Sequence, residues 1–158
     1  MGDPALLALP VAWRVNQTPE KILADTKLVV RRGPYTLAAW QPSQLSAVFR
    51  GILRCRQEHT FVTADELEVT AFVATKHLGE FPPPKHNQDN WCLLTLDTVM
   101  EWDVVGVLAA VSRALAEASV PMGAVTAYSR DHLLVGESHL DQAQNALSAL
   151  CKDISVVD

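Results

Sequence analysis

The chain has 158 residues, enough for one ordinary domain or two very small ones. With 49% hydrophobic and 20% charged residues it has the composition of a folded globule, because a disordered chain would bury too little apolar surface to offset its ordering entropy. The net charge of −5 argues against a nucleic-acid groove, which needs clustered Lys and Arg; the basic knots, Arg31-Arg32 and the stretch from Arg50 to Arg56, are short.

The apolar run Ala5 to Leu9 has no basic region ahead of it and is too short for a secretory core. No stretch approaches the roughly 20 apolar residues of a membrane helix. Cys55, Cys92 and Cys151 lie far apart without zinc-ligand spacing and read as reduced thiols of a cytoplasmic protein. The histidines, His59, His77, His86, His132 and His139, are likewise scattered, so no metal site and no cofactor are expected.

In chain order, residues 1–25 are unassigned beyond an added strand. Leu28-Val29-Val30 and Thr36 to Trp40 predict strands around a turn at Gly33-Pro34. Ser43 caps a predicted helix carrying Leu45, Val48, Phe49 and Ile52 on one side. His59 to Thr63 and Glu68 to Val73 predict a further strand pair. Pro82-Pro83-Pro84, followed by a polar tail to Asn90, reads as a linker over 81–90.

After it, Trp91 to Asp97 predicts a strand. The apolar spacing of Val104, Leu108, Val111, Leu115 and Ala118 predicts a helix of about four turns. Asp103 is its expected N-cap, Trp102 and Val107 its hydrophobic staple, and Pro121 closes it from beyond its end. Gly123 to Tyr128, the turn Ser129-Arg130-Asp131 and His132 to Val135 predict a hairpin. Ser138 caps a second helix bearing Leu140, Ala143, Leu147 and Leu150, and Ile154 to Val157 supply a last strand. The order β-α-β-β-α-β is the split arrangement of the ferredoxin-like fold, an α+β architecture with helices on one face of an antiparallel sheet.

The segment from Trp91 to Leu150 resembles ACT domains of the arginine-sensor (CASTOR) type. Three stretches carry the resemblance: Trp91 to Leu96 as the first strand, Glu101-Trp102-Asp103-Val104-Val105-Gly106-Val107-Leu108-Ala109 as the start of the helix, and Thr126 to Val135 as the hairpin. Thr63 to Val69 extends it faintly into the first half. The resemblance implies tandem ACT-like halves: a degenerate one over 1–80, the linker, and an ACT domain over 91–158. It also implies an amino acid or derivative held at the strand-to-helix loop and the hairpin. The chain departs from the family at Thr98-Val99-Met100, Asp103, Arg130 and His132, where a ligand would sit, so arginine sensing does not transfer.

The candidate ligand-binding residues are Glu101, Trp102, Asp103, Val104, Val105, Gly106, Thr126, Tyr128, Ser129, Arg130, Asp131 and His132. Free N–H groups of a first helical turn, expected at Val104 to Gly106, suit a carboxylate, and Asp103 and Glu101 suit an ammonium group. The more frequent use of such residues is an ordinary capped helix and a turn. Two ligand-centred functions follow, beside a third reading as a pure protein–protein module acting through a sheet edge. One is a small-molecule-binding regulatory protein pairing as a homodimer through a sheet edge, with no nucleic-acid or membrane partner. The other is a cofactor-free isomerase, cyclase or lyase using Asp103, His132, Asp131 and Glu101 for acid–base work. Lys76, His77 and Glu80 form a further polar cluster, most simply an exposed loop end.

Overall fold

The computed structural model describes residues 18–55, 59–100 and 104–157. Seven strands form one sheet: β1 (Lys27–Trp40), β2 (Phe61–Ala64), β3 (Val69–Ala74), β4 (His86–Asp97), β5 (Met122–Thr126), β6 (Asp131–Gly136) and β7 (Asp153–Val157). Four helices accompany them: α1 (Pro19–Asp25), α2 (Leu45–Arg54), α3 (Val107–Glu117) and α4 (Leu140–Ser148). The strand order is β2-β3-β1-β4-β6-β5, with β7 parallel to β1 and every other pair antiparallel. The α+β fold with its antiparallel sheet stands, as one continuous sheet instead of two.

The continuity comes from β1 and β4, which run antiparallel along their whole lengths and serve both halves. The second half of β1 carries β3 on its outer side; the first half carries β7. The turn expected at Gly33-Pro34 is therefore a bulge within one strand, with register shifts between Arg31 and Leu37. Gly33 is needed there: its φ is +84°, and a Cβ would lie 2.7 Å from the Trp91 carbonyl oxygen. Residues 86–90, expected as linker, are strand, with Gln88 opposite Leu37 and His86 opposite Ala39. Polar side chains do not prevent pairing at an exposed position, because the ladder needs only backbone groups.

Two apolar layers cover the sheet. On one face Leu28, Val30, Cys92, Leu94 and Leu96 pack under the buried stripes of α3 (Val107, Val111, Leu115) and α4 (Leu140, Ala143, Leu147). Ala38, Trp40 and Val73 pack with Val48 of α2. The spacing of these stripes is the helical period that the sequence displays. On the other face Tyr35, Phe72, Leu93 and Leu134 form a separate cluster. The sheet curls over it, bringing Phe61 of β2 within 4.8 Å, ring to ring, of His132 on β6. Both faces of β4 are thus covered, and Cys92 through Leu96 are all buried.

Other expectations shift. Residues 19–25 are a helix, not an added strand, capped by Thr18, whose hydroxyl accepts from the Lys21 amide at 3.4 Å. Ser43 and Ser138 sit inside 3-10 turns, Pro42–Gln44 and Glu137–His139, and cap nothing. Ser138 instead bonds His139 Nδ1 at 3.1 Å. The second helix missing from the first half is replaced by a 3-10 turn over Thr75–Glu80, where Glu80 meets Arg54 at 3.0 Å. All three cysteines are free and buried.

Candidate functional site

α3 begins three residues later than its apolar period suggests. Its N-cap is Gly106, at φ +98°, and the expected cap Asp103 lies outside the described residues together with Glu101 and Trp102. The left-handed conformation turns the chain sharply into the helix, a geometry that glycine adopts without a Cβ penalty. A Cβ here would also come within 3.0 Å of Pro19 on α1. Among the described residues no side chain caps the first turn, and the first intrahelical bond runs from the Ala110 N–H to the Gly106 carbonyl at 2.9 Å. The amides of Val107, Leu108 and Ala109 therefore stand at the positive end of the helix dipole.

The β5–β6 turn lies opposite. The Ala127 N–H donates to the Arg130 carbonyl at 2.9 Å, closing the turn, and the Met100 N–H donates to the Ser129 carbonyl at 3.1 Å, tying it to the end of β4. Arg130 reaches Asp97 at 3.1 Å, a partly exposed ion pair beside the turn. Between helix start and hairpin lies a cleft of about 240 Å³, lined by Met100, Val104, Gly106 to Ala109 and Thr126 to Asp131.

Of the sequence candidates, Val104, Gly106, Thr126, Tyr128, Ser129, Arg130 and Asp131 meet in this cleft. Val105 does not line it and is 83% exposed. His132 does not either. Strand alternation sends its ring to the opposite face of the sheet, where it is 5% exposed. There its Nδ1 bonds Thr95 Oγ1 at 3.0 Å, Thr95 accepts from Arg31 at 3.3 Å, and Phe61 and His59 flank the ring. Burial first, then the neighbouring His59, Arg130 and Arg31, push its pKa down to about 4. Around neutral pH His132 is an uncharged buried ring, and its expected place among the ligand contacts and acid–base groups is corrected.

Sequence reading missed Met100, Val107, Leu108, Ala109 and Ala127. The available signal was Gly106 itself: a glycine just ahead of an apolar helical period marks a backbone cap, which moves the free amides forward by three residues. Among the described residues no group of His, Cys, Asp or Glu could hold a metal ion. No helix there is long and apolar enough to cross a membrane.

The element order β4-α3-β5-β6-α4-β7 and this cleft together define a ferredoxin-like module with a pocket at its strand-to-helix loop. Residues 87–149 match the ACT domain family model. Solved structures share the wider architecture. A protein of Agobacterium tumefaciens superposes with a TM-score of 0.68 at 16% identity, covering 85% of this chain and 95% of that one. A Vibrio cholerae protein of unknown function, described as a possible transport protein, gives 0.62 at 19% identity, with 83% and 94% covered. The regulatory subunit of aspartate kinase from Thermus thermophilus gives 0.60 at 12% identity, with 78% and 95% covered. No curated protein matches the sequence.

Proposed function

We propose that the chain is a small-molecule-binding regulatory protein built of two ACT-like halves, the first degenerate. Its ligand is an amino acid or derivative, held between the start of α3 and the β5–β6 turn. The observation that carries this reading is the cleft in which first-turn amides, uncapped among the described residues, face the hairpin, within the segment matched by the ACT model. The amides of Val107 to Ala109 suit a carboxylate, and the Asp131 carboxylate on the cleft wall suits an ammonium group. An amino-acid zwitterion presents both charges on adjacent carbons. The aspartate kinase regulatory subunit among the structural neighbours supports a regulatory role. Homodimer formation, a cytoplasmic location and kinship with the arginine-sensor subfamily belong to the same proposal.

The alternative of a cofactor-free enzyme called on Asp103, His132, Asp131 and Glu101; His132 lies on the other side of the sheet, Asp131 lines the cleft, and Glu101 and Asp103 lie outside the described residues. Binding is therefore the better-supported function. The test is a thermal-shift screen against the free amino acids, with mass analysis of the recovered compound. The proposal expects a ligand returned unchanged and a raised unfolding midpoint that Asp131→Asn diminishes. A compound returned chemically altered would overturn the regulatory reading; so would a hit indifferent to Asp131→Asn, for this cleft.

A further inference from the structure

The sheet has an approximate two-fold about the middle of the β1–β4 pair, and one strand position breaks it. Along the outer side of β1, β7 pairs with residues 27–31 and β3 with residues 35–40, so the two lie end to end and fill that side. Along the outer side of β4, β6 pairs with residues 91–95 only. Residues 86–88 pair with β1 alone, Asp89 and Asn90 forming a bulge before Trp91 rejoins the register, and among the described residues no strand occupies the position corresponding to β7. A strand edge of this kind presents unpaired N–H and C=O groups, a template for a further strand.

A cleft of about 590 Å³ lies at this edge, where Gly136 ends β6. It is walled by Asp89, Asn90, Trp91, Pro121 and Glu137 and has no Lys or Arg in its lining. Asp89 is held in place by the Thr36 hydroxyl at 2.7 Å and by the Asn87 amide. The Glu137 charge is felt at β4: after burial, it is the next cause holding the Cys92 thiol up to about 11. Trp91 offers an indole, and its Nε1 is buried without a partner among the described residues, the kind of unsatisfied group that marks a site needing explanation.

We infer that this edge binds an extended, basic peptide segment of a partner protein, which adds as a strand running parallel to β4 just as β7 runs parallel to β1. Main-chain hydrogen bonds to residues 86–88 supply the docking, beside the bulge at Asp89 and Asn90. Asp89 and Glu137 select a Lys or Arg, whose stem lies against Trp91. The polar outer side chains of His86 to Asn90 keep the empty edge from aggregating, as edge strands require.

Two measurements on the full chain test this. In the free protein, amide exchange should be faster across 86–90 than across 27–31, where β7 covers the edge. Equal protection would mean that the chain or a second copy already fills the position, and the inference fails; dependence on protein concentration separates those two occupants. The second measurement titrates a blocked hexapeptide of alternating Lys and Val into labelled protein. Amide shifts should appear at 86–90, with a shift of the Trp91 indole identified by Trp91→Phe. Binding should fall about tenfold in Glu137→Gln and in Asp89→Asn, as expected for losing one charge-assisted contact. It should also vanish when the peptide's alternate amides are methylated. Equal binding of a blocked hexapeptide of alternating Glu and Val, indifference to methylation, or the same shifts from phenethylamine alone would each overturn it.

Discussion

Acidification should expose how His132 is buried. In the unfolded chain an imidazole takes its proton near 6.5, whereas folded His132 holds out to about 4 behind Phe61, Thr95 and the positive charges of Arg31 and Arg130. Between those pH values the unfolded state binds the proton and the folded state does not, so stability falls as pH drops from 6.5 toward 4. Above 6.5, and again below about 4, this group contributes no slope. A gap of about 2.5 pH units at 1.36 kcal/mol each sets a ceiling of about 3 kcal/mol on the loss. Urea unfolding at pH steps from neutrality to 4 measures it in the parent and in His132→Gln. Carboxylates titrate in both proteins, so the informative quantity is the difference between the two curves. The parent should lose more stability on acidification than the variant, and the His132 ring signal should titrate near 4 by NMR. Parallel curves, or a ring titrating near 6.5, would refute the burial argument.

Three further outcomes follow from local geometry. Gly106→Ala places a side chain at φ +98° and within 3.0 Å of Pro19, so urea unfolding should show a loss of about 1–3 kcal/mol; no loss would mean that the cap is not left-handed in solution. Gly51→Ala drives a methyl to 2.6 Å from the Phe81 ring, which is stacked on Trp40, and should cost about 1–3 kcal/mol, with a change in Trp40 fluorescence. Arg130→Ala removes a partly exposed ion pair with Asp97 and should change stability by less than about 1 kcal/mol. A larger loss by urea titration would show that the turn depends on that pair.

The second half was legible because its signals are local. The short apolar run Trp91 to Leu96, the four-residue spacing of Val107, Val111 and Leu115, and the polar turn at Ser129 to Asp131 each determine an element without reference to the rest of the chain. The shared strands were not legible, because pairing of residues 27–31 with both β4 and β7 is set by contacts more than 60 residues apart in sequence. Polar residues 86–90 read as linker for the same reason: nothing local records that β1 lies alongside them. His132 was misplaced by a parity error of one residue. A strand sends neighbours to opposite faces, so Asp131 lines the cleft while His132 is buried behind it. The helix start moved because the apolar period continues into Val104, while the left-handed Gly106 ends the helix before it.

The central claim, that the cleft at the start of α3 holds an amino-acid zwitterion, is tested most directly by following backbone amides in a titration with the amino acid that scores in the thermal screen. The amides of Val107, Leu108 and Ala109 should shift together with those of Ser129 to Asp131, saturably, and Asp131→Asn should weaken the titration. Saturable binding that leaves the α3 amides unmoved would contradict the assignment, whatever the affinity.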